Sequence, residues 1–191
     1  YEILRCLVGS EMCIRDRYIC AHKDTNFFET PMWQPPKLNF PAVTLRARKR
    51  GSQTEVWDQW RGCYLVLTPE EWVRRHLLVF LAEHCGACAE RIVQEYPVRL
   101  NGQPQRADVV VVDAQGQPLL LAECKAPDVK LDGRTLAQAV RYNSVLGARY
   151  IVLTNGLSHY CYECGGGACR PLSRFPDLSD RPCGDGPLTD S

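Results

Sequence analysis

The chain has 191 residues, 45% of them hydrophobic and 24% charged, with 23 basic against 22 acidic side chains and a formal net charge of +1. This length suits one domain able to bury about two-thirds of its unfolded surface. The near-neutral balance excludes bulk basicity as a sign of nucleic-acid binding, so any basic footprint must be local.

No apolar run approaches the roughly 20 residues of a bilayer span. The N-terminus also lacks the order of basic segment, apolar segment and small-residue cleavage site that marks a secretion signal. The expectation is a cytoplasmic protein without membrane contact. Its eleven cysteines are then expected to stay reduced, as core residues or metal ligands, rather than to form a disulfide framework.

Taken in chain order, the first segment stands apart. Cys6 to Arg17 reads as the translation of a sequencing adapter. Residues 1–31 are therefore expected to be an assembly artefact or a disordered tail, with Met32 as the start of the selected sequence. Residues 32–178 form the expected domain and residues 179–191 a flexible C-terminal tail. After Pro35-Pro36, the run Val43 to Arg50 alternates weakly and suggests an edge strand. Val56 to Trp60 and Tyr64 to Leu67 read as two further short strands around Arg61-Gly62.

A helix follows. Thr68 is the expected N-cap, Pro69 sits at the first helical position, and Glu71 completes a capping box. Val73, Leu77, Phe80 and Leu81 form one apolar stripe, and Gly86 marks the end. Ile92 to Leu100 reads as a strand, with Pro97 arguing for a sheet edge or a bulge. Asn101-Gly102 is a turn signal.

Two apolar runs then flank a Gly- and Pro-containing loop, Asp108 to Asp113 and Leu119 to Lys125. They read as a hairpin centred between Gln115 and Gly116, which sets Asp108 opposite Glu123. Side chains alternate along a strand, so Glu123 and Lys125 share a face while Cys124 takes the other. A second helix is expected from Thr135 to Leu146, closed by Gly147. Tyr150 to Thr154 is a buried strand, turned by Asn155-Gly156 into another from Ser158 to Tyr162. The order β-β-α-β-β-β-α-β-β describes an α/β fold, a mixed central sheet with a helix on each side.

The chemistry concentrates on Asp108, Glu123 and Lys125. Carboxylates placed opposite each other repel, and a divalent cation with oxygen ligands resolves that conflict. Phosphodiester hydrolysis needs such an ion to polarise the phosphate and activate water. Asp108, Glu123 and the backbone carbonyl of Cys124 make a partial shell for Mg²⁺, with Mn²⁺ as a substitute. Lys125 is placed to orient water or to stabilise charge on the phosphate. Gln138 and Tyr142, four apart, share a helix face and are expected to support the site. Glu70 is a third candidate acid, because its helical angle matches Val73 and Leu77 while Glu71 points about 100° away.

Other motifs read more plainly. Cys85-Gly-Ala-Cys88 and Cys161-Tyr-Glu-Cys164 offer four thiolates for zinc or an iron–sulfur cluster. However, positions three apart on a strand face opposite ways, so ordinary cysteines are the better reading. Arg46 to Arg50, with Arg74, Arg75 and Arg141, offers phosphate contacts, against the alternative of a solvated face. His76 and His159 read as structural histidines.

At these residues the chain resembles the PD-(D/E)XK nuclease superfamily. More closely, it resembles the N-terminal nuclease domain of type I restriction enzyme R subunits, in the small free-standing form. The resemblance runs from about Met32 to Leu178. It rests on Lys37-Leu-Asn-Phe-Pro, Leu67-Thr-Pro-Glu-Glu-Trp-Val-Arg, Arg106-Ala-Asp-Val-Val-Val, Glu123-Cys-Lys-Ala-Pro, Gln138-x-x-x-Tyr142 and Leu153-Thr-Asn-Gly-Leu.

The resemblance implies a restriction-endonuclease-like core and a Mg²⁺-dependent DNA endonuclease. Asp108 and Glu123 would be the ligands, Lys125 the water-orienting base, and Gln138 and Tyr142 supporting residues near the scissile phosphate. Ala107 stands where the family has proline. No Gly-x-x-x-x-Gly-Lys-Ser/Thr phosphate loop is present, so ATP-driven translocation is not expected, and restriction would require partner subunits. The competing reading is a non-catalytic DNA-binding or adaptor module of the same fold. No residue argues for a homodimer.

Overall fold

The structure, a computed structural model, describes residues 2–5 and 34–179. Met32, Cys6, Cys13, Cys20 and the C-terminal tail from residue 180 lie outside the described residues.

The chain builds two sheets, where the strand pattern suggested one. Strands β1 (Glu2–Arg5), β2 (Thr44–Arg50), β3 (Gln53–Asp58) and β4 (Cys63–Val66) form an antiparallel sheet in that order. The run expected at an edge, β2, is thus an inner strand, because residues 2–5 pair along it from Glu2↔Ala47 to Arg5↔Thr44.

Helix α1 (Pro69–His84) follows. Thr68 caps it by accepting the Glu71 N–H at 3.1 Å. Only this half of the capping box forms. The Thr68 N–H donates to the Val66 carbonyl instead, and the Glu71 carboxylate is committed to arginines one turn on.

The larger sheet holds β5 (Ile92–Leu100), β6 (Gln103–Val112), β7 (Pro118–Cys124), β8 (Tyr150–Thr154), β9 (His159–Gly165) and β10 (Ala168–Leu172). Its spatial order is β10-β9-β8-β7-β6-β5. β5 is an edge, as Pro97 requires, since proline cannot donate to a ladder. Asn101 and Gly102, both at positive φ, make the tight turn into β6.

Only β7 and β8 pair in parallel. That pairing needs a crossover, which helix α2 (Gly133–Leu146) supplies. Asp132 caps α2 by accepting from Arg134 and Thr135, and Gly147 ends it at φ +68°, a conformation that favours glycine. The mixed sheet with helices on its two faces is the fold class that the pattern of elements predicts.

Alternation along the strands makes two cores. On one face Val109, Val111, Leu120, Ala122 and Cys124 pack with Val73, Leu77 and Leu81 of α1 and with Leu45 and Val56 of the small sheet. On the other, Val110, Leu121, Ile151 and Leu153 pack with Ala139 and Tyr142 of α2. No helix of the described residues is long and apolar enough to cross a membrane.

The C-terminal end holds more order than its composition suggests. β10 pairs antiparallel with β9 around Gly165-Gly166-Gly167, and a disulfide joins Cys164 to Cys169, directly opposite each other. This corrects the expectation that every cysteine stays reduced. The two Cys-x-x-Cys pairs do not assemble. Cys85 and Cys161 are buried, Cys88 is exposed against Glu90, and Cys164 is spent in the disulfide.

Candidate functional site

The hairpin of β6 and β7 sets the site. Its ladder runs Val111↔Leu120, Val110↔Leu121 and Val109↔Ala122, with a bulge at Val111/Val112. The ladder stops at Val109↔Ala122, one step short of Asp108 and Glu123, and beyond it Asp108 bonds to α1 and Glu123 to α2. Asp108 uses both oxygens. Oδ2 accepts the Cys124 backbone N–H at 2.7 Å, and Oδ1 accepts from Arg74 Nη2 of α1 at 3.0 Å.

Glu123 sits at the centre of a second group. Its Oε1 accepts from Lys125 Nζ at 2.9 Å and from Gln138 Nε2 at 2.6 Å. Gln138 Nε2 also lies 3.5 Å from the Tyr142 hydroxyl. The alternation along β7 is what delivers this contact. Cys124 is buried towards α1, while Glu123 and Lys125 turn towards α2. Lys125 is held in place by its own backbone, whose N–H donates to the Thr154 carbonyl of β8 at 2.9 Å. The five central residues expected at the site, Asp108, Glu123, Lys125, Gln138 and Tyr142, thus come to one end of the sheet.

Electrostatics mark the same place. Burial and then the Asp108 charge push the Glu123 carboxyl up to about 7, against the pull of Lys125. Glu70 is also raised, first by burial and then by Asp108. Burial alone would lower Lys125, but its hydrogen bond to Glu123 and the surrounding acids raise it overall. Lys125 therefore carries its proton at neutral pH.

Glu70, rather than Glu71, faces this group, though not for the reason the helical angle suggests. Its side chain is 42% exposed and pairs with Arg74 at 3.0 Å, whereas Val73 and Leu77 are fully buried. Glu71 is buried and bound to both Arg74 (2.7 Å) and Arg75 (2.6 Å).

The arginines correct another expectation. Arg74 and Arg75, read either as phosphate contacts or as part of a solvated face, are almost fully buried in ion pairs. The place of Arg74 among the acids of the site, and Glu95 altogether, were missed. Arg74 joins Glu70, Glu71, Glu95 and Asp108, and its spacing from Glu70, i and i+4, was the available signal. Glu95 adopts φ +52° within β5, a conformation that no sequence pattern announces for glutamate.

Among the described residues no group of three or more His, Cys, Asp or Glu is disposed to hold a metal ion. The donor set nevertheless suits a hard cation. Glu123 Oε2 is buried and has no hydrogen-bond partner. Leaving such an oxygen unsatisfied costs about 1–3 kcal/mol. Oxygen donors of this kind are what Mg²⁺ and Ca²⁺ take.

Three comparisons bear on the chain. A family model described as the type I restriction enzyme R protein N terminus (HSDR_N) matches residues 69–176, which hold α1, the large sheet and α2. Among solved structures the chain is similar to a fragment described as an HsdR subunit of a type I restriction enzyme from Vibrio vulnificus YJ016. The two share 24% identity with a TM-score of 0.46, over 58% of this chain and 24% of that one. The chain therefore spans about a quarter of that solved chain. No curated protein matches it.

Proposed function

Because the chain belongs to the family of type I restriction enzyme R protein N termini, we propose that it hydrolyses DNA phosphodiester bonds with the help of a divalent cation, Mg²⁺ or Mn²⁺. The observation that carries this reading is Glu123. Its carboxylate is buried beside Asp108, raised to about 7, and left with one oxygen unpartnered at the point where Lys125 and Gln138 converge.

Asp108, Glu123 and the Cys124 carbonyl would hold the ion, with Glu70 as a further acid. When bound, it supplies Lewis acidity towards the phosphate. The chain's own residues do the rest. Lys125, protonated and anchored on Glu123, donates a hydrogen bond to a phosphate oxygen or to the attacking water and offsets the charge that develops. Gln138 fixes the rotamer of Glu123, and Tyr142 backs Gln138 from the core of α2.

A second reading, a DNA-binding module without turnover, draws support from Arg74, which already neutralises Asp108. Cleavage of supercoiled plasmid with Mg²⁺ separates the two. The full chain should nick DNA, and Lys125→Ala should lower the rate about 10²–10³-fold. Equal nicking by both proteins defeats the site assignment. Binding without cutting by the unaltered chain moves the conclusion to the module.

A further inference from the structure

The Arg74 guanidinium is divided between two pairs of acids. Its Nη1 lies 2.7 Å from Glu71 Oε2 and 3.4 Å from Glu95 Oε1. Its Nη2 lies 3.0 Å from Glu70 Oε1 and 3.0 Å from Asp108 Oδ1. The second pair holds one ligand of the cation reading, Asp108, and its further acid, Glu70. The first pair is not part of that shell. We propose that Arg74 is a resident counter-cation of the site, and that a divalent ion loads by displacing Nη2 from Asp108 and Glu70 while Nη1 stays anchored on Glu71 and Glu95. This rests on the reading of Asp108 and Glu123 as cation ligands.

Arginine keeps its charge at any working pH, so it cannot yield the oxygens by losing a proton. It must move or share them. Burial favours a pivot over full withdrawal. The Arg74 side chain is 8% exposed and its partner Glu71 7%, whereas Asp108 is 15% and Glu70 42% exposed. Glu95 is 32% exposed, more than Asp108, so Glu71 is the buried anchor of Nη1 and Glu70 marks the most open edge of the guanidinium.

The backbone at Glu95 supports the same division. The β5–β6 ladder pairs Gln94 with Val109 and Tyr96 with Ala107, but skips Glu95. That residue stands across from Asp108 in this register, at φ +52°. A left-handed glutamate is strained and persists only where its surroundings hold it. Here Arg61, Arg74 and Arg106 surround its carboxylate. Glu95 is therefore built to retain a cation behind Asp108, which is what an arginine giving up Asp108 needs.

Calorimetric titration of the full chain with Ca²⁺ tests the competition without any turnover. Arg74→Met should bind Ca²⁺ about tenfold more tightly than the unaltered chain, equivalent to about 1.4 kcal/mol. Arg106→Gln removes an exposed charge that also meets Glu95, and should change affinity by less than about threefold if general field effects are small.

Equal or weaker Ca²⁺ binding by folded Arg74→Met, or equal tightening by Arg106→Gln, overturns the inference while the cation reading stands. Absence of Ca²⁺ binding in every protein overturns both. Should Arg74→Met fail to fold, Arg74→Lys serves, since one ammonium cannot span two acid pairs, and it should bind Ca²⁺ more tightly than the unaltered chain. Nitrogen-15 arginine spectra of the unaltered chain give an independent readout. One guanidinium signal, missing in Arg74→Lys, should shift in step with Ca²⁺ binding. A signal that stays fixed while heat of binding is observed overturns the inference.

Discussion

Arg74 and Arg75 are neighbours on one helix, and both are surrounded by acids, yet their surroundings differ in kind. Arg75 is closed in. It pairs with Asp58 of β3 at 2.7 Å and with Glu71 at 2.6 Å, and bonds Gln94 of β5, with its own side chain 1% and that of Asp58 0% exposed. Asp58 in turn accepts the backbone N–H groups of Trp60 and Arg61 and the amide of Gln94. Every element around Arg75 is thereby tied to another. Arg74 meets four acids where Arg75 meets two, and apart from the shared Glu71 they line a partly exposed site. A closed ion cluster is a structural joint, since removing one partner strands the other in low dielectric. An open one can exchange partners, which is the property a binding site requires.

The largest expected effect falls on the closed cluster. Asp58→Asn should destabilise the fold by about 3–5 kcal/mol, the cost of stranding a buried charge, measured by urea denaturation. Cutting per folded molecule should be unchanged. A small stability loss would show that the joint is not what it seems from its burial.

The mirror experiment is Asp108→Asn. It should abolish cutting, yet alter stability by less than about 1 kcal/mol, because the lost pairing with Arg74 is offset by relief of repulsion at Glu123. A loss as large as that of Asp58→Asn would erase the distinction between the two clusters.

A third, smaller effect concerns the next residue of the helix. His76 is buried, with Nδ1 2.8 Å from the Trp72 carbonyl. Burial lowers its pKa, and the carbonyl contact opposes this only in part. His159 is lowered likewise, by burial. A histidine depressed in the folded state contributes stability that is complete above its unfolded pKa, near 6.5, and is lost as pH falls below that value towards the folded pKa. These two histidines therefore contribute a decline of the thermal midpoint below about pH 6.5, opposed between about 4.5 and 7 by Glu123, whose raised carboxyl takes up a proton in the fold. His76→Gln should make that decline shallower. An unchanged slope would assign the dependence to other groups.

Much of the site was legible because its causes are local. Asp108 comes near Glu123 since two apolar runs of matched length fold about one turn, and strand alternation then puts Lys125 beside Glu123. Gln138 and Tyr142 meet because four residues make one helical turn. Thr68, Pro69 and Gly147 mark helix ends by their own chemistry.

The residues that were missed have distant causes. Arg74 reads as a phosphate contact until α1 lies beside β6, and its charge is then consumed by acids from α1, β5 and β6. Nothing near Glu95 in the chain requires a left-handed backbone. That conformation makes sense only with three arginines around the carboxylate. The separate small sheet, the β9–β10 hairpin and its disulfide belong with these, since each depends on which strand lies next to which.

By itself, the sequence determined the elements, the hairpin register and the convergence of two carboxylates, an ammonium, an amide and a phenol at one sheet end. Those follow from periods of 2 and 3.6 residues and from turn chemistry, which act over a few residues. The tertiary structure alone decided which charges are neutralised, which arginine is locked and which is exposed to exchange. Electrostatic energy in a folded chain depends on burial and on partners far apart in sequence, and neither exists until the layers have packed.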